Sequence, residues 1–461
     1  MTRIVVIGGG PAGYEAALVA AQVGAEVTVI EAEGLGGACV LYDCVPSKTF
    51  IASSDAMTAF ASADRLGIDA GKPDEIRVDA PAVHNRVRSL AQAQSVDVAR
   101  QMDRAGVQVL TGAASLVDAG SGRGHRVSVG GSTLDADVVL IATGASPRVL
   151  PDAVPDGERI LNWRQVYDLP SLPEHLVAVG SGVTGAEFAS AYLALGVEVT
   201  LVSSRDRVLP GEDSDAATLI EDVFTRRGMT ILPRSRAAAV RRTAGGVAVE
   251  LTDGRTVDGS HALMAVGSVP NTGGLGLAEA GVDLGPGGFV TVDRVSRTAV
   301  PGIYAAGDVT GVLMLASVAA MQGRIAMWHA LGEAVAPLQL RTVSANVFTA
   351  PEIATVGIGQ ATVDGGQVLA RTVKLPLATN ARAKMQGITD GFVKLFCRPS
   401  SGLVIGGVVV APRASELILP IALAVQNHLT VDQIAHTISI YPSLSGSLTE
   451  TARQLMQHEF E

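Results

Sequence analysis

The sequence predicts an α/β protein made of two nucleotide-binding βαβ units and a smaller α+β domain, and three observations predict it. A short apolar run, Ile4-Val5-Val6-Ile7, leads into Gly8-Gly9-Gly10-Pro11-Ala12-Gly13, a helical pattern, and a second apolar run from Glu26 to Ile30 that ends on Glu31. The same arrangement returns at Leu176 to Val179, Gly180-Ser181-Gly182-Val183-Thr184-Gly185 and Glu198 to Val202. An internal duplication of one Rossmann-like unit is the simplest reading. Near residue 340 the pattern changes, and alternating apolar positions such as Val343, Val347 and Ile353 predict a mainly antiparallel sheet.

The length allows this division, since 461 residues at 48% hydrophobic content can build two to four domains with sizeable cores. The stretch from Ser146 to Glu174 holds Pro147, Pro151, Pro155, Pro170 and Pro173, which marks a boundary between the two units. A second boundary near residues 336 to 341 follows a helix-like stretch, Ala316 to Leu331. The expected domains are therefore residues 1–150 and 271–338 for the first unit, 151–270 for the second, and 339–461 for the third.

Charge and composition exclude several classes of protein. The net charge of -10 is spread along the chain with no run of Lys and Arg that could follow a nucleic-acid backbone. The most apolar long window, Val404 to Val425, is interrupted by Pro412, Arg413, Glu416 and Pro420, so it reads as buried sheet and helix and not as an integral membrane segment. Met1-Thr2-Arg3 runs straight into an apolar strand with no leader pattern, which points to a cytoplasmic protein. Cys39, Cys44 and Cys397 cannot all pair, and any pairing of Cys39 with Cys44 is a redox question. No metal site is expected.

A strand, a Gly-x-Gly-x-x-Gly turn and a helix together let backbone approach a pyrophosphate and aim helix N-terminal N–H groups at its charge. Gly8, Gly10 and Gly13 supply the first such turn, with Glu31 placed to accept a ribose hydroxyl. Gly180, Gly182 and Gly185 supply the second. Its strand closes on Ser203-Ser204-Arg205 instead of an acid, so hydroxyls and a guanidinium would tolerate or bind a 2′-phosphate, and NADPH should serve at least as well as NADH.

Between the first strand pair and the first full helix lies Gly36-Gly37-Ala38-Cys39-Val40-Leu41-Tyr42-Asp43-Cys44-Val45-Pro46-Ser47-Lys48. Five residues apart on a regular helix, the cysteines would sit on different faces, so they can meet only across a distorted turn. A helix N-terminus and nearby Lys48 would both lower a thiolate pKa. With this stretch the sequence resembles the pyridine-nucleotide disulfide oxidoreductases, the family of dihydrolipoamide dehydrogenase and glutathione reductase. The likeness runs nearly end to end, through Ala142-Thr143-Gly144-Ala145, Ile303-Tyr304-Ala305-Ala306-Gly307-Asp308, Met314-Leu315-Ala316 and Val347-Phe348-Thr349-Ala350-Pro351-Glu352.

The resemblance implies FAD in the first unit, NADH or NADPH in the second, and a C-terminal domain that forms a homodimer with the active site shared between subunits. It implies that Gly8, Gly10, Gly13, Glu31, Gly37, Ala114, Thr143, Gly144 and Asp308 hold FAD, with Leu315 and Ala316 at the ring. Lys48 would lie near flavin N5, paired with Glu187. Cys44 would be the thiol facing the flavin and Cys39 the outer thiol. Gly180, Gly182, Gly185 and Gly267 would contact the nicotinamide nucleotide, with Ser203 and Arg205 at its ribose.

The pattern breaks near the C-terminus. Disulfide reductases of the family carry His-x-His-Pro-Thr-x-x-Glu, whose second His is the substrate acid and base, whereas this chain has Ser439-Ile440-Tyr441-Pro442-Ser443-Leu444-Ser445-Gly446. Tyr441, with an ordinary pKa near 10, cannot cycle protons near neutrality as imidazole does. His436 is too far along the chain to replace it. The departure resembles a side branch of NAD(P)H quinone reductases, so the reading is an FAD-dependent NAD(P)H dehydrogenase acting on a quinone. A disulfide reductase using Cys39 and Cys44, and a flavoprotein that senses NAD(P)H without turnover, are the alternatives.

Overall fold

The computed structural model describes residues 1–69, 71, 76–117 and 124–456. The chain divides into two compact units, one of residues 1–49, 84–148 and 267–339, the other of residues 50–83, 149–266 and 340–461.

The first unit is built on a parallel sheet in the order Ile303–Ala305, Val138–Ile141, Arg3–Ile7, Glu26–Glu31, Gln108–Thr111. The central runs, Ile4 to Ile7 and Val138 to Ile141, are wholly apolar because both faces are covered. Ile4, Val6, Val29 and Leu140 pack with Ala16, Ala20 and Met327 on one side, while Val5, Ile7, Val139 and Ile141 pack with Leu116 and Val127 on the other. Strand Arg3–Ile7 is central, with its successor Glu26–Glu31 on one side and Val138–Ile141 on the other. Strand order therefore reverses at its C-terminal end, where open α/β sheets bind ligands. The helices Pro11–Gln22 and Ala316–Ala330 cross closely enough that a Cβ on Gly323 would strike the Ala12 carbonyl.

The second unit repeats the plan. Its parallel sheet runs Thr230–Leu232, Glu198–Val202, His175–Val179, His261–Met264, Ile160–Leu161, so the strand before the second glycine turn is again central. The same unit holds a five-stranded, wholly antiparallel sheet in the order Ser344–Val347, Glu352–Gly357, Val404–Ala411, Phe392–Cys397, Arg371–Pro376. The apolar window at Val404 to Val425 becomes the strand Val404–Ala411 and the helix Leu419–Gln426, whose Ile421, Ala424 and Val425 are buried with Val409 and Leu395. No helix among the described residues is long and apolar enough to cross a membrane.

Candidate active site

The first glycine turn fits a pyrophosphate on its own geometry. Gly8 has φ 105°, and a Cβ there would run into the Ala142 carbonyl, while a Cβ on Gly13 would run into the carbonyl of Gly8. Gly10 is the N-cap of the helix Pro11–Gln22, which has neither a side-chain cap nor an acidic residue in its first turn. Its leading N–H groups are left for an anion from outside the helix. Glu31 lies at the strand end, where Oε2 accepts from the Gly9 N–H at 2.5 Å and Oε1 from that of Glu33 at 2.8 Å. Gly37 (φ 58°) comes so near that an added Cβ would meet Gly10 Cα at 2.9 Å.

Further residues assemble around this turn within the first unit. Thr143 and Gly144 follow the strand Val138–Ile141 and are held by Asn271, whose Nδ2 donates to the Thr143 carbonyl at 2.8 Å and whose carbonyl accepts from Thr143 Oγ1 at 2.7 Å. Gly267, expected at the second nucleotide, belongs to the first unit, where with φ 93° it accepts at its carbonyl from the Arg148 N–H. Ala114 is buried at the start of strand Ala114–Val117. Asp308 opens the turn Asp308–Thr310, and burial, with Asp43 adding its charge, pushes its carboxyl up to about 6. Leu315 is the N-cap of the helix Ala316–Ala330, again with no side chain or acid at that end.

Sequence reasoning missed Gln322. It is buried, and its Oε1 accepts from the Gly307 N–H at 2.9 Å, which fixes the residue before Asp308. A single polar side chain among the buried positions of the helix Ala316–Ala330 was the available signal.

The cysteines meet as a broken helix allows. The helix Gly37–Leu41 ends at Tyr42, and a new helix, Cys44–Ala61, begins two residues later. The Asp43 N–H reaches back to the Ala38 carbonyl, and the Cys39 and Cys44 thiols share a hydrogen bond. The expected lowering of the thiol pKa is not what results at Cys44. The bond to Cys39 and burial push this thiol up, helped by the charges of Cys39 and Asp43, and Lys48, one turn further along the helix, only partly offsets them.

The second glycine turn copies the first. A Cβ on Gly180 would strike the Ala265 carbonyl, one on Gly185 would strike that of Gly180, and Gly182 caps the helix Val183–Ala194 with no side chain and no acid. Ser203 differs from expectation. It is fully buried, with its Oγ 2.6 Å from Ser181 Oγ and accepting from the Arg205 N–H at 3.1 Å. Its hydroxyl is thus engaged inside the protein, whereas Ser204, Arg205 and Arg207 are exposed. Glu187, on the helix Val183–Ala194, is buried and accepts from the Phe348 N–H at 2.9 Å. Lys48 belongs to the first unit and Glu187 to the second.

At the C-terminal departure, Tyr441 is 84% exposed and Gly446 opens the helix Gly446–Leu455. Ser443 ties the turn, donating to the Ile440 carbonyl at 2.6 Å and accepting from the Gly446 N–H at 3.1 Å. His436 is the C-cap of the helix Val431–Ala435.

Two nucleotide-binding sheets, a vicinal thiol pair and a separate antiparallel sheet define the class of two-dinucleotide flavoprotein oxidoreductases. The chain belongs to the pyridine nucleotide-disulphide oxidoreductases, matching that family over residues 2–323 and its dimerisation domain over 343–452. It is thus an oxidoreductase that works with FAD and NAD(P)H.

Among its relatives is an NAD(P)H dehydrogenase (quinone) of Mycobacterium tuberculosis H37Rv, 61% identical over 468 residues, covering 100% of this chain and 95% of that protein. A dihydrolipoyl dehydrogenase of Bacillus subtilis is 35% identical over 460 residues, covering 98% and 96%. The crystal structure of LpdA from Mycobacterium tuberculosis superposes with a TM-score of 0.95 at 61% identity, over 99% of this chain and 100% of that one. The HOCl-induced flavoprotein disulfide reductase RclA of Escherichia coli, at 24% identity and a TM-score of 0.86 over 98% and 99% of the two chains, shares the fold.

Proposed function

We propose that this chain is an NAD(P)H dehydrogenase that passes electrons to a quinone, acting as a cytoplasmic homodimer through its C-terminal domain. Residues 1–150 and 271–338 are assigned to FAD, 151–270 to the nicotinamide nucleotide and 339–461 to the subunit contact. FAD, when bound, accepts a hydride from NAD(P)H and hands two electrons to the acceptor. The protein's part is binding and orientation. Gly8, Gly10 and Gly13 admit the pyrophosphate to the helix N-terminus, Glu31 receives the ribose, and Gly37, Ala114, Thr143, Gly144 and Asp308 frame the rest, with Leu315 and Ala316 at the ring. Gly180, Gly182 and Gly185 hold the second nucleotide. Arg205, being exposed, takes the role at a 2′-phosphate that Ser203 cannot. Lys48 supplies the cation beside the flavin.

The observation that carries the quinone assignment is Tyr441 and Gly446 standing where dithiol-using relatives have a His and a Glu. Without imidazole, a substrate thiol has no group to take and return its proton near neutrality, whereas a quinone needs none from this segment. The 61% identical relative is itself named for quinone.

The contact of Cys39 with Cys44 favours a second reading, disulfide reduction. One steady-state panel separates them: NADH and NADPH, each against a soluble quinone, lipoamide and glutathione disulfide. The quinone rate should exceed both disulfide rates by about a hundredfold, in line with loss of a positioned acid-base. Faster turnover of lipoamide than of quinone would replace the assignment, and no turnover of any acceptor would leave a nucleotide-sensing flavoprotein.

A further inference from the structure

The segment that closes the second nucleotide turn, residues 203–213, is tied to the glycine loop at one end and to the antiparallel sheet at the other, all within the second unit. At the first end Ser203 Oγ meets Ser181 Oγ, and the Leu209 N–H donates to the Ser181 carbonyl at 2.8 Å. Leu209 makes that bond from φ 50°, a left-handed conformation a branched residue adopts only when its surroundings hold it there. It is also buried.

What holds the other end is a buried ion pair. Asp213 is the N-cap of the helix Ser214–Arg226, with Oδ1 accepting from the N–H groups of Asp215 and Ala216 at 3.0 and 3.3 Å. Its Oδ2 accepts from Lys394 Nζ at 2.9 Å, with side-chain exposures of 1% and 3%. Lys394 lies on the strand Phe392–Cys397 of the antiparallel sheet and also donates to Asp215 Oδ2 at 2.8 Å, while Lys374 of the neighbouring strand takes Asp215 Oδ1 at 2.7 Å. Breaking a buried pair from one side leaves the remaining charge buried and only partly compensated. A helix cap would serve the helix with no cation at all, so the lysine adds an anchor to a point that was already capped.

We propose that Lys394, in the C-terminal domain, is a positioning residue for the nicotinamide nucleotide: through Asp213 it fixes segment 203–213, and with it Leu209, the Ser181 carbonyl of the glycine loop, and the exposed Arg205 and Arg207. Cutting the anchor lets Leu209 relax to negative φ, which withdraws its N–H from Ser181 and shifts the loop that receives the pyrophosphate. This rests on the reading of residues 180–213 as the nicotinamide-nucleotide site.

The test is NADP⁺ affinity of the FAD-loaded oxidised protein by titration calorimetry, in Lys394→Met and Asp213→Asn. Asparagine remains a good cap and leaves Lys394 paired with Asp215, so Asp213→Asn keeps the test usable if Lys394→Met does not fold. Both should weaken NADP⁺ binding by about fivefold or more, a usual size for coupling between sites. Hydrogen exchange at the Leu209 amide should speed up, and the quinone KM and kcat at saturating NADPH should stay the same. Unchanged NADP⁺ affinity in a folded variant overturns the proposal, even if its melting temperature falls, because the pair would then be structural only. Arg205→Gln separates this from failure of the underlying site. If it too leaves NADP⁺ affinity unchanged, the nucleotide site is misassigned; if it alone weakens binding, Lys394 has no role there.

Discussion

At the scale of single residues, the structure redistributes roles between neighbours that look equivalent in sequence. Ser203 and Arg205 stand two apart at the end of one strand, yet Ser203 is buried against Ser181 and Arg205 is exposed. Sequence spacing locates the strand end but not the turn that follows it. Arg205→Gln should therefore raise the KM for NADPH by about tenfold, the loss of one charge-assisted contact to phosphate, and leave the KM for NADH nearly unchanged. Equal effects on both nucleotides in steady-state kinetics would remove Arg205 from the 2′-phosphate.

Asp308 gives a pH prediction at the same scale. Its carboxyl sits at about 6 in the folded protein against 3.8 as the ordinary value, because burial, with Asp43 beside it, penalises the charged form. A folded-state pKa raised in this way means the folded protein holds the proton more tightly. Its contribution to stability is complete below 3.8 and is lost as pH rises through about 6. Two units correspond to about 3 kcal/mol. In urea melts of protein stripped of flavin, Asp308→Asn should gain on the wild type between pH 4 and 7 by an amount of that order. A difference constant with pH would show that Asp308 ionises as an ordinary surface carboxyl.

At the scale of elements, what could be read from sequence was whatever depends on local pattern. The two strand–glycine–helix units, the helix Ala316–Ala330 and the antiparallel sheet each announce themselves through period and punctuation. The cysteine segment shows the limit. A distorted turn could be inferred because no regular helix brings residues 39 and 44 together, but the break at Tyr42 and the net direction of the Cys44 pKa depend on what surrounds the thiols.

The turn Ser439–Gly446 offers a test at this scale, Tyr441→His with Gly446→Glu. A Cβ on Gly446 would find only Ser443 Oγ at 3.7 Å and Ser439 Oγ at 3.9 Å, ordinary contacts. As the first residue of the helix Gly446–Leu455, a glutamate is favoured over glycine by propensity and by the helix dipole, each worth up to about 1 kcal/mol. The variant should fold at least as well as the parent. Lipoamide turnover should rise by at least about tenfold, less than the full effect of a positioned acid-base because the supporting contacts are not grafted with it. A folded, flavin-loaded variant with no gain would mean that the missing dyad is not what separates this chain from its dithiol-using relatives.

At the scale of the whole molecule, the question is which groups the electrons must visit between nucleotide and acceptor. The family plan offers two exits, one through the thiols of Cys39 and Cys44 and one straight from the flavin. The hydrogen bond to Cys39 and burial raise the Cys44 thiol, which disfavours its thiolate. The thiolate is the reactive form, and the exit through the pair also lacks a His at position 441 to take and return the proton of a substrate thiol. A quinone that takes electrons directly from the flavin avoids both obstacles. Cys39→Ser combined with Cys44→Ser should therefore abolish lipoamide and glutathione disulfide reduction while keeping at least about half of the quinone rate, since the direct route from flavin to quinone passes through no thiol. Serine is close enough in size to cysteine that FAD content and the rate of flavin bleaching by NADPH, read in a stopped-flow spectrometer, should match the parent. If bleaching were normal and quinone turnover still collapsed, the electrons would have to pass through the thiols, and the chain would be a dithiol enzyme whose substrate-side acid and base lie elsewhere.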